Sequence, residues 1–394
     1  MHYSVKWSSN ISDVDRDAWN SIAVPLQTPF LEWEWLQQLE ASGSITPRHG
    51  WLPMHLTIWR ERTLVAAAPL YIKGHSSGEF VYDYIWVDVA QQLGVKYYPK
   101  LLGMIPATPS VGYRFLTAPG ENEAELTDVM LEEIDKLCKK NDITGVAFNF
   151  ADEDWLELMS RYSFNTWKHQ SFLWENQGFT SFADYLAVFN KNQRRNILRE
   201  RASMADQGIM IRALSGDEIS DRYLSIMYHY YDKTNDQFGM WAARYLNRRF
   251  FEGMADYRHR LLLIAAFTTE DAGKSDPDPV AMSFLVHKDG MLVGRYWGTE
   301  QFFDNLHFNV CYYAPIEWAI ANGVKYFDPG AGSTHKIRRG FRAVSNFSLH
   351  RFYDQRLHYI MAANIERVNT MEQSNIDELN AGLPFAEHRP VNDS

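Results

Sequence analysis

Three apolar runs of strand length, Leu261–Thr268, Val280–His287 and Met291–Trp297, follow one another in the second half of the chain. A polar loop separates the first two, and Lys288-Asp289-Gly290, a tight-turn signal, separates the last two. Short turns between apolar runs make a meander of strands. A helical segment rich in Tyr and Ala then runs to Asn322-Gly323, and Val324–Phe327 reads as a further strand. Strands, helix and strand in this order predict an α/β (α+β) fold with a mixed sheet.

The first half repeats this order more loosely. Pro29 opens an amphipathic stretch that reads as a helix ending near Gly43. Short strands are expected at Met54–Trp59 and Leu64–Ile72 around the charged turn Arg60-Glu61-Arg62, and residues 73–117 read as loop-rich. Leu126, Val129, Met130, Ile134 and Leu137 recur at helical spacing within Glu121–Asn141, and Gly145–Phe150 reads as a buried strand. At 394 residues the chain is long for one domain, since about 150 residues per domain is usual. The reading is therefore two domains, 1–170 and 171–394, each a mixed sheet flanked by helices, with the chemistry in the second.

Charge excludes some partners. Residues 1–170 carry 14 Lys+Arg against 22 Asp+Glu, and the remainder 25 against 27, which overall is no nucleic-acid-binding profile, although the basic clusters of the second half need a role. Cys138 and Cys311 lack metal or redox spacing, which implies no metal site and fits a reducing compartment. No apolar run reaches the length of a membrane span and the N-terminus shows no signal-peptide pattern, so a cytoplasmic location is expected.

Three segments carry candidate chemistry. In the first, a strand enters a Gly-rich turn at Pro329–Gly332, and Lys336, Arg338, Arg339, Arg342 and Arg351 follow with no acid between Asp328 and Asp354. Gly330 and Gly332 allow positive φ and a close backbone approach, and the adjacent uncompensated charge suits a phosphate or carboxylate. Lys336 and Arg339 are the candidate anion ligands. In the second, Arg295, Tyr296 and Trp297 end a strand at Gly298, with Arg295 and Trp297 on one face and Tyr296 on the other. His307 and Cys311, and Asn309 and Tyr313, stack at i, i+4 if a helix has begun by His307; Pro315 must kink that helix or start a shorter one. In the third, Arg194, Arg195, Arg199 and Arg201 make a basic helix surface, with Ile197 and Leu198 turned inward.

In this order the segments resemble the Fem family of peptidoglycan-bridge aminoacyltransferases. The resemblance rests on Arg194-Arg195-Asn196-Ile197-Leu198-Arg199, on Glu317–Gly323, on Phe327-Asp328-Pro329-Gly330 and on Arg339-Gly340-Phe341. A closer match is to a bacterial N-acyltransferase branch connected with peptidoglycan biosynthesis or recognition. It rests on residues 75–79, 97–101, 294–298, 306–308, 311–313 and 335–341 and covers nearly the whole chain. It implies two tandem GNAT-like domains. The branch usually has Gln-Gly-Glu before His-Lys, where this chain has Gly332-Ser333-Thr334, and Glu after Leu-His-Phe, where it has Asn309. Two carboxylates are missing at those positions, and the usual acetyl-CoA pyrophosphate loop is not evident.

The resemblance implies transfer of an acyl or aminoacyl group to an amine of a small or cell-wall-related acceptor. Acyl-CoA or aminoacyl-tRNA are the candidate donors, with no permanently bound cofactor. Such a reaction needs positioning and preorganised donors more than a nucleophilic side chain. His335 is then the candidate base, and Arg295 and Tyr296 line the reacting centre. Lys336, Arg339, Gly330, Gly332, His307, Trp297, Arg194, Arg195 and Arg199 bind substrate. The alternative is a catalytically silent module that binds a cell-wall precursor or another anionic ligand.

Overall fold

The structure is a computed structural model that describes residues 3–239, 242–271, 273–274, 277–332 and 334–386. The chain divides into two compact units. One comprises 1–170, 243–257 and 345–373, and the other 171–242, 258–344 and 374–394.

The first unit has two groups of strands. Ser4–Ser8, His55–Arg60, Thr63–Ala68 and Leu116–Thr117 form an antiparallel sheet in that order. Leu52–Pro53, Leu70–Lys73, Lys100–Gly103, Gly145–Phe148 and residues 349–352 pair in sequence, parallel only between Lys100–Gly103 and Gly145–Phe148. Its longest helix that lies wholly within the unit is Glu123–Lys140, capped by Asn122 through the Glu125 N–H and ending in Lys139 and Lys140, as the helix dipole favours. Trp19, Trp35, Trp51 and Trp155 are at most 1% exposed, so much of the aromatic content is core.

Two readings of this unit change. The helix expected from Pro29 begins only at Trp33 and ends at Ala41. Phe30 and Leu31 are fully buried, and the Trp19 indole donates to the Leu31 carbonyl at 2.9 Å, holding that backbone outside the helix. The stretch read as loop-rich contains the helix Tyr84–Gln92 and the strand Lys100–Gly103. Their alignment depends on Asp83 and Lys100, which meet at 2.7 Å across 17 positions, a contact no local pattern reveals.

The second unit is one meander extended by a crossover. Ile209–Ser215, Leu261–Thr268, Ala281–Lys288 and Met291–Thr299 pair antiparallel in order. The chain then forms a helical stretch from Leu306 to Ala321 and returns as Tyr326–Asp328, parallel to Met291–Thr299. Tyr326 and Phe327 pair on their other side with Glu175 and Trp174. Strands and helices are mixed in both units, as the α/β reading expects. Among the described residues no helix is long and apolar enough to cross a membrane.

Candidate functional site

The parallel pairing of Met291–Thr299 with Tyr326–Asp328 stops at Val293 and Asp328. Pro329 has no N–H to continue the ladder, and Gly330 turns away at φ +79°. A Cβ on Gly330 would lie 2.7 Å from the Gly294 carbonyl oxygen, so only glycine lets the two segments approach there. The two parallel strands therefore part at Asp328, the C-terminal end of Tyr326–Asp328, and ligand sites in α/β sheets usually lie at strand C-termini.

Opposite this point Met291–Thr299 carries a bulge. Tyr296 pairs with Phe284 and Gly294 with Leu285, which leaves Arg295 as the extra residue. The bulge breaks the alternation, and Arg295 and Tyr296 do not point to opposite faces as strict pleating predicts. The Arg295 guanidinium donates to the Tyr296 hydroxyl at 3.1 Å and lies 5.0 Å from its ring centroid. Trp297 instead packs against His307, ring centroids 4.5 Å apart and tilted by 52°.

The helix after this strand contains a π turn at Asn309–Tyr313, followed by Ala314–Ala321 with Pro315 in its first turn. The wider turn accommodates the proline without ending the helix, and turns of this kind are frequent at functional sites. It gathers His307, Phe308, Tyr312 and Tyr313 around the short helical segment Thr334–Arg339. His335 meets the Tyr312 hydroxyl through Nε2 at 3.0 Å, and its ring lies 5.7 Å from His307. Burial, then the cations nearby, lower His335 to about 4. Burial and the neighbouring His335 lower His307 to about 3. Both are neutral at pH 7.

Lys336 and Arg339, the two cations expected to hold an anion, are 1% and 3% exposed. The Lys336 ammonium donates to the Gly330 carbonyl at 2.6 Å, and burial lowers it to about 8 despite the attraction of Asp328. Arg339 lies 3.4 Å over the Phe308 ring, donates to the His335 carbonyl at 2.9 Å and forms an ion pair with Glu200 at 2.8 Å. The stretch read as uncompensated positive charge thus finds acids distant in sequence. Arg351 likewise pairs with Asp135, whereas Arg338 and Arg342 are exposed. Gly332, at φ +120°, is exposed, and Ser333 lies outside the described residues.

Two carboxylates at this site were not singled out from the sequence. Asp328 accepts the Gly330 N–H at 2.8 Å, and burial raises it to about 6. Glu200 accepts from Arg339 and from the Tyr313 hydroxyl, and its side chain is 18% exposed. A signal for Glu200 existed: Gln193, Ile197 and Met204 are the buried residues of the helix Lys191–Asp206, and Glu200 falls on the same face. Arg194, Arg195 and Arg199 fall elsewhere and are exposed. Arg194 donates to the Phe189 carbonyl at 3.0 Å, and Arg195 and Arg199 to the neighbouring Asn192 and Asn196 at 3.4 and 3.2 Å. Ile197 turns inward as expected; Leu198, 51% exposed, does not. Asn309, where the resembling branch has an acid, is buried and donates to the Glu200 carbonyl at 2.9 Å. Among the described residues no three His, Cys, Asp or Glu side chains group as a metal site.

A mixed α/β chain with parting parallel strands and a bulge opposite them has a fold that groups it with known structures. It spans 90% of its own length and 99% of the chain in the crystal structure of FemX, at 10% identity and a TM-score of 0.53. A conserved protein of unknown function from Bacteroides thetaiotaomicron matches 88% of this chain and 98% of its own at 11% identity and 0.50. A tandem GNAT protein from the clavulanic acid biosynthesis pathway matches 89% and 98% at 9% identity and 0.43. At such identities the first two likenesses are of fold alone. No curated protein sequence matches the chain. The chain belongs to the FemAB-like family of peptidoglycan biosynthesis/recognition, whose model matches residues 10–387.

Proposed function

We propose that this protein transfers an acyl or aminoacyl group to an amine of a small or cell-wall-related acceptor, in the second unit. The observation that carries the reading is the convergence of Asp328 and Lys336 on Gly330, where the parallel strands part: Asp328 accepts the Gly330 N–H and Lys336 donates to the Gly330 carbonyl. One is a carboxylate raised to about 6, the other an ammonium lowered to about 8. Both values lie near neutrality, where acid–base groups are most useful.

In the reaction the acceptor nitrogen attacks the carbonyl carbon of an ester or thioester. The C–N bond forms, negative charge gathers on the carbonyl oxygen, and the donor's oxygen or sulfur leaves. Asp328, ionised at pH 7, takes the proton that the attacking amine loses. Lys336 offers its charge to the developing oxyanion. His335, held by Tyr312, lines the centre as a neutral imidazole, and its low basicity favours Asp328 over it as the base. Arg339 is a positioning residue: paired with Glu200 and bonded to the His335 carbonyl, it holds the segment that carries Lys336. Arg295, Tyr296, Trp297 and His307 form the wall facing the site, and the resemblance supports acyl-CoA or aminoacyl-tRNA as donor.

Replacing Lys336 by Met removes one charge-assisted contact worth about 1.5–3 kcal/mol. Transfer, assayed with a panel of acyl-CoAs and aminoacyl-tRNAs, is expected to fall about ten- to a hundredfold while thermal unfolding changes little. Undiminished transfer in the variant would remove Lys336 from the site. The exposed Arg194, Arg195 and Arg199 suit a polyanionic donor. Changing all three to Gln is expected to lower the salt slope of tRNA binding by about two to three units, and an unchanged slope would leave them a solvated face.

A second reading is a binding module without turnover. The absence of acids at Asn309 and at positions 332–334, where the resembling branch carries them, favours it. Ligand binding without transfer by any donor of the panel would establish this reading over the first.

A further inference from the structure

The first unit buries a second group of charges that the proposed reaction does not use. Lys73 and Lys100 face each other across neighbouring strands and are 0% and 3% exposed. Like charges placed directly opposite oppose pairing, so something must offset them. Glu79 and Asp83, both 0% exposed, come from the loop that follows Lys73. Lys100 takes both: its ammonium lies 2.7 Å from Glu79 Oε2 and 2.7 Å from Asp83 Oδ2. Tyr98 adds a further donor to Asp83 at 3.0 Å.

Among the described residues Lys73 therefore has no acid within ion-pair distance, although Glu79 and Asp83 attract it from farther away. Its ammonium donates to the Ser77 carbonyl at 3.0 Å and lies 3.5 Å from the Trp51 ring centroid. Among the described residues Glu79 Oε1 is buried with no hydrogen-bond partner, and Oε2 meets Lys100 as an ion-pair contact without a well-aligned hydrogen bond. A cation lacking a carboxylate and a carboxylate oxygen lacking a donor lie on one short segment, both out of water. Burial lowers Lys73 to about 7 and raises Glu79, the directions expected of charges left incompletely met. Buried polar groups are otherwise satisfied almost without exception.

The covering segment is itself strained. Phe80, a bulky residue, sits at φ +55°, and Gly78 at φ +81° packs where a Cβ would meet Trp51 at 3.2 Å and Tyr245 at 3.5 Å. Gly74, His75 and Ser77 of the same segment are exposed. Strain of this kind gathers at ligand clamps.

We propose that Lys73 and Glu79 form a binding site for a zwitterionic α-amino acid group, under the strap of residues 74–80. The ligand carboxylate completes Lys73 and its ammonium completes Glu79, beside the Trp51 indole. A simple anion would answer Lys73 but face Glu79 and Asp83. A simple cation would answer Glu79 but face two lysines. Only a ligand bearing both charges meets both groups. The strap is the element that opens to admit it.

Calorimetry on the full chain tests this without any acyl donor, so its outcome is separate from that of the transfer assay. The probes are glycine, L-alanine, L-lysine and L-glutamate. At least one is expected to bind. Its methyl ester, which lacks the carboxylate, and its N-acetyl form, which lacks the ammonium, are each expected to bind at least about tenfold more weakly. Lys73→Met and Glu79→Gln are expected to lower affinity about ten- to a hundredfold. Lys73→Met is also expected to melt no lower than wild type, because it removes a buried charge that has no acid partner. No binding by any probe, or equal binding of the ester and N-acetyl forms by the wild-type chain, would overturn the proposal. Equal binding by folded Lys73→Met or Glu79→Gln would do the same.

Discussion

Taken from pH 7 to pH 4.5, the protein is expected to lose stability steeply, at about 3 kcal/mol per pH unit at the steepest point. Four histidines drive this. Burial lowers His350 and His307 to about 3 and His169 and His335 to about 4, against an ordinary 6.5. His350 and His169 share the Ser348 hydroxyl, each at 2.7 Å through Nε2. Between about pH 6.5 and 4 the unfolded chain binds these protons and the folded chain does not, so stability falls as pH falls. Asp328, raised to about 6, and Glu79, also raised, take protons first in the folded chain and act the other way. Four histidines against Asp328, with Glu79 opposing in the same sense, leave a net uptake on unfolding of at least about two protons, each contributing about 1.4 kcal/mol per pH unit. Denaturant midpoints measured at intervals from pH 7 to 4.5 check this. A flat profile would mean that the imidazoles are protonated in the folded protein. His350→Gln is expected to reduce the slope by about one proton.

Replacing Glu200 by Leu is expected to cost about 3–5 kcal/mol, because it leaves the buried Arg339 guanidinium without its acid and Tyr313 without its acceptor. Arg339→Met alone is expected to cost less, since Glu200 is partly open to water. The double variant, Glu200→Leu with Arg339→Met, is expected to be more stable than Glu200→Leu alone. Apolar groups of similar volume replace a buried ion pair far better than one orphaned charge does. Urea unfolding of the four proteins yields the coupling energy. Strictly additive losses would mean that the pair is not coupled, and Arg339 would then be free for an anion.

Several elements were legible because their cause is local. The turn Lys288-Asp289-Gly290 joins Ala281–Lys288 to Met291–Thr299 as read, and Leu261–Thr268 has the expected bounds. Helical spacing located Glu123–Lys140, and the glycine demanded after Pro329 sits at positive φ. The site was legible only in part. The Gly-rich turn, Trp297, His307 and His335 stand out in the sequence because unusual residue types cluster there, and the fold brings the three rings together. The carboxylates were not, because Glu200 lies 139 positions from Arg339 and resembles any other acid on an Arg-rich helix.

The meander from Leu261 to Thr299, its last turn and the helix Glu123–Lys140 were determined by the sequence itself, since each depends on neighbours a few residues apart. Which charges are met, and by what, was decided only by the tertiary structure. A stretch of 25 residues from Pro329 to Tyr353 contains no acid, yet Arg339 meets Glu200 and Arg351 meets Asp135 once the chain is folded. The bulge at Arg295 likewise redirects a side chain that strict alternation placed on the other face from Tyr296. Pattern and propensity act along the chain. Burial, pairing and desolvation act through space, and they set both the charge and the reach of every group in the site.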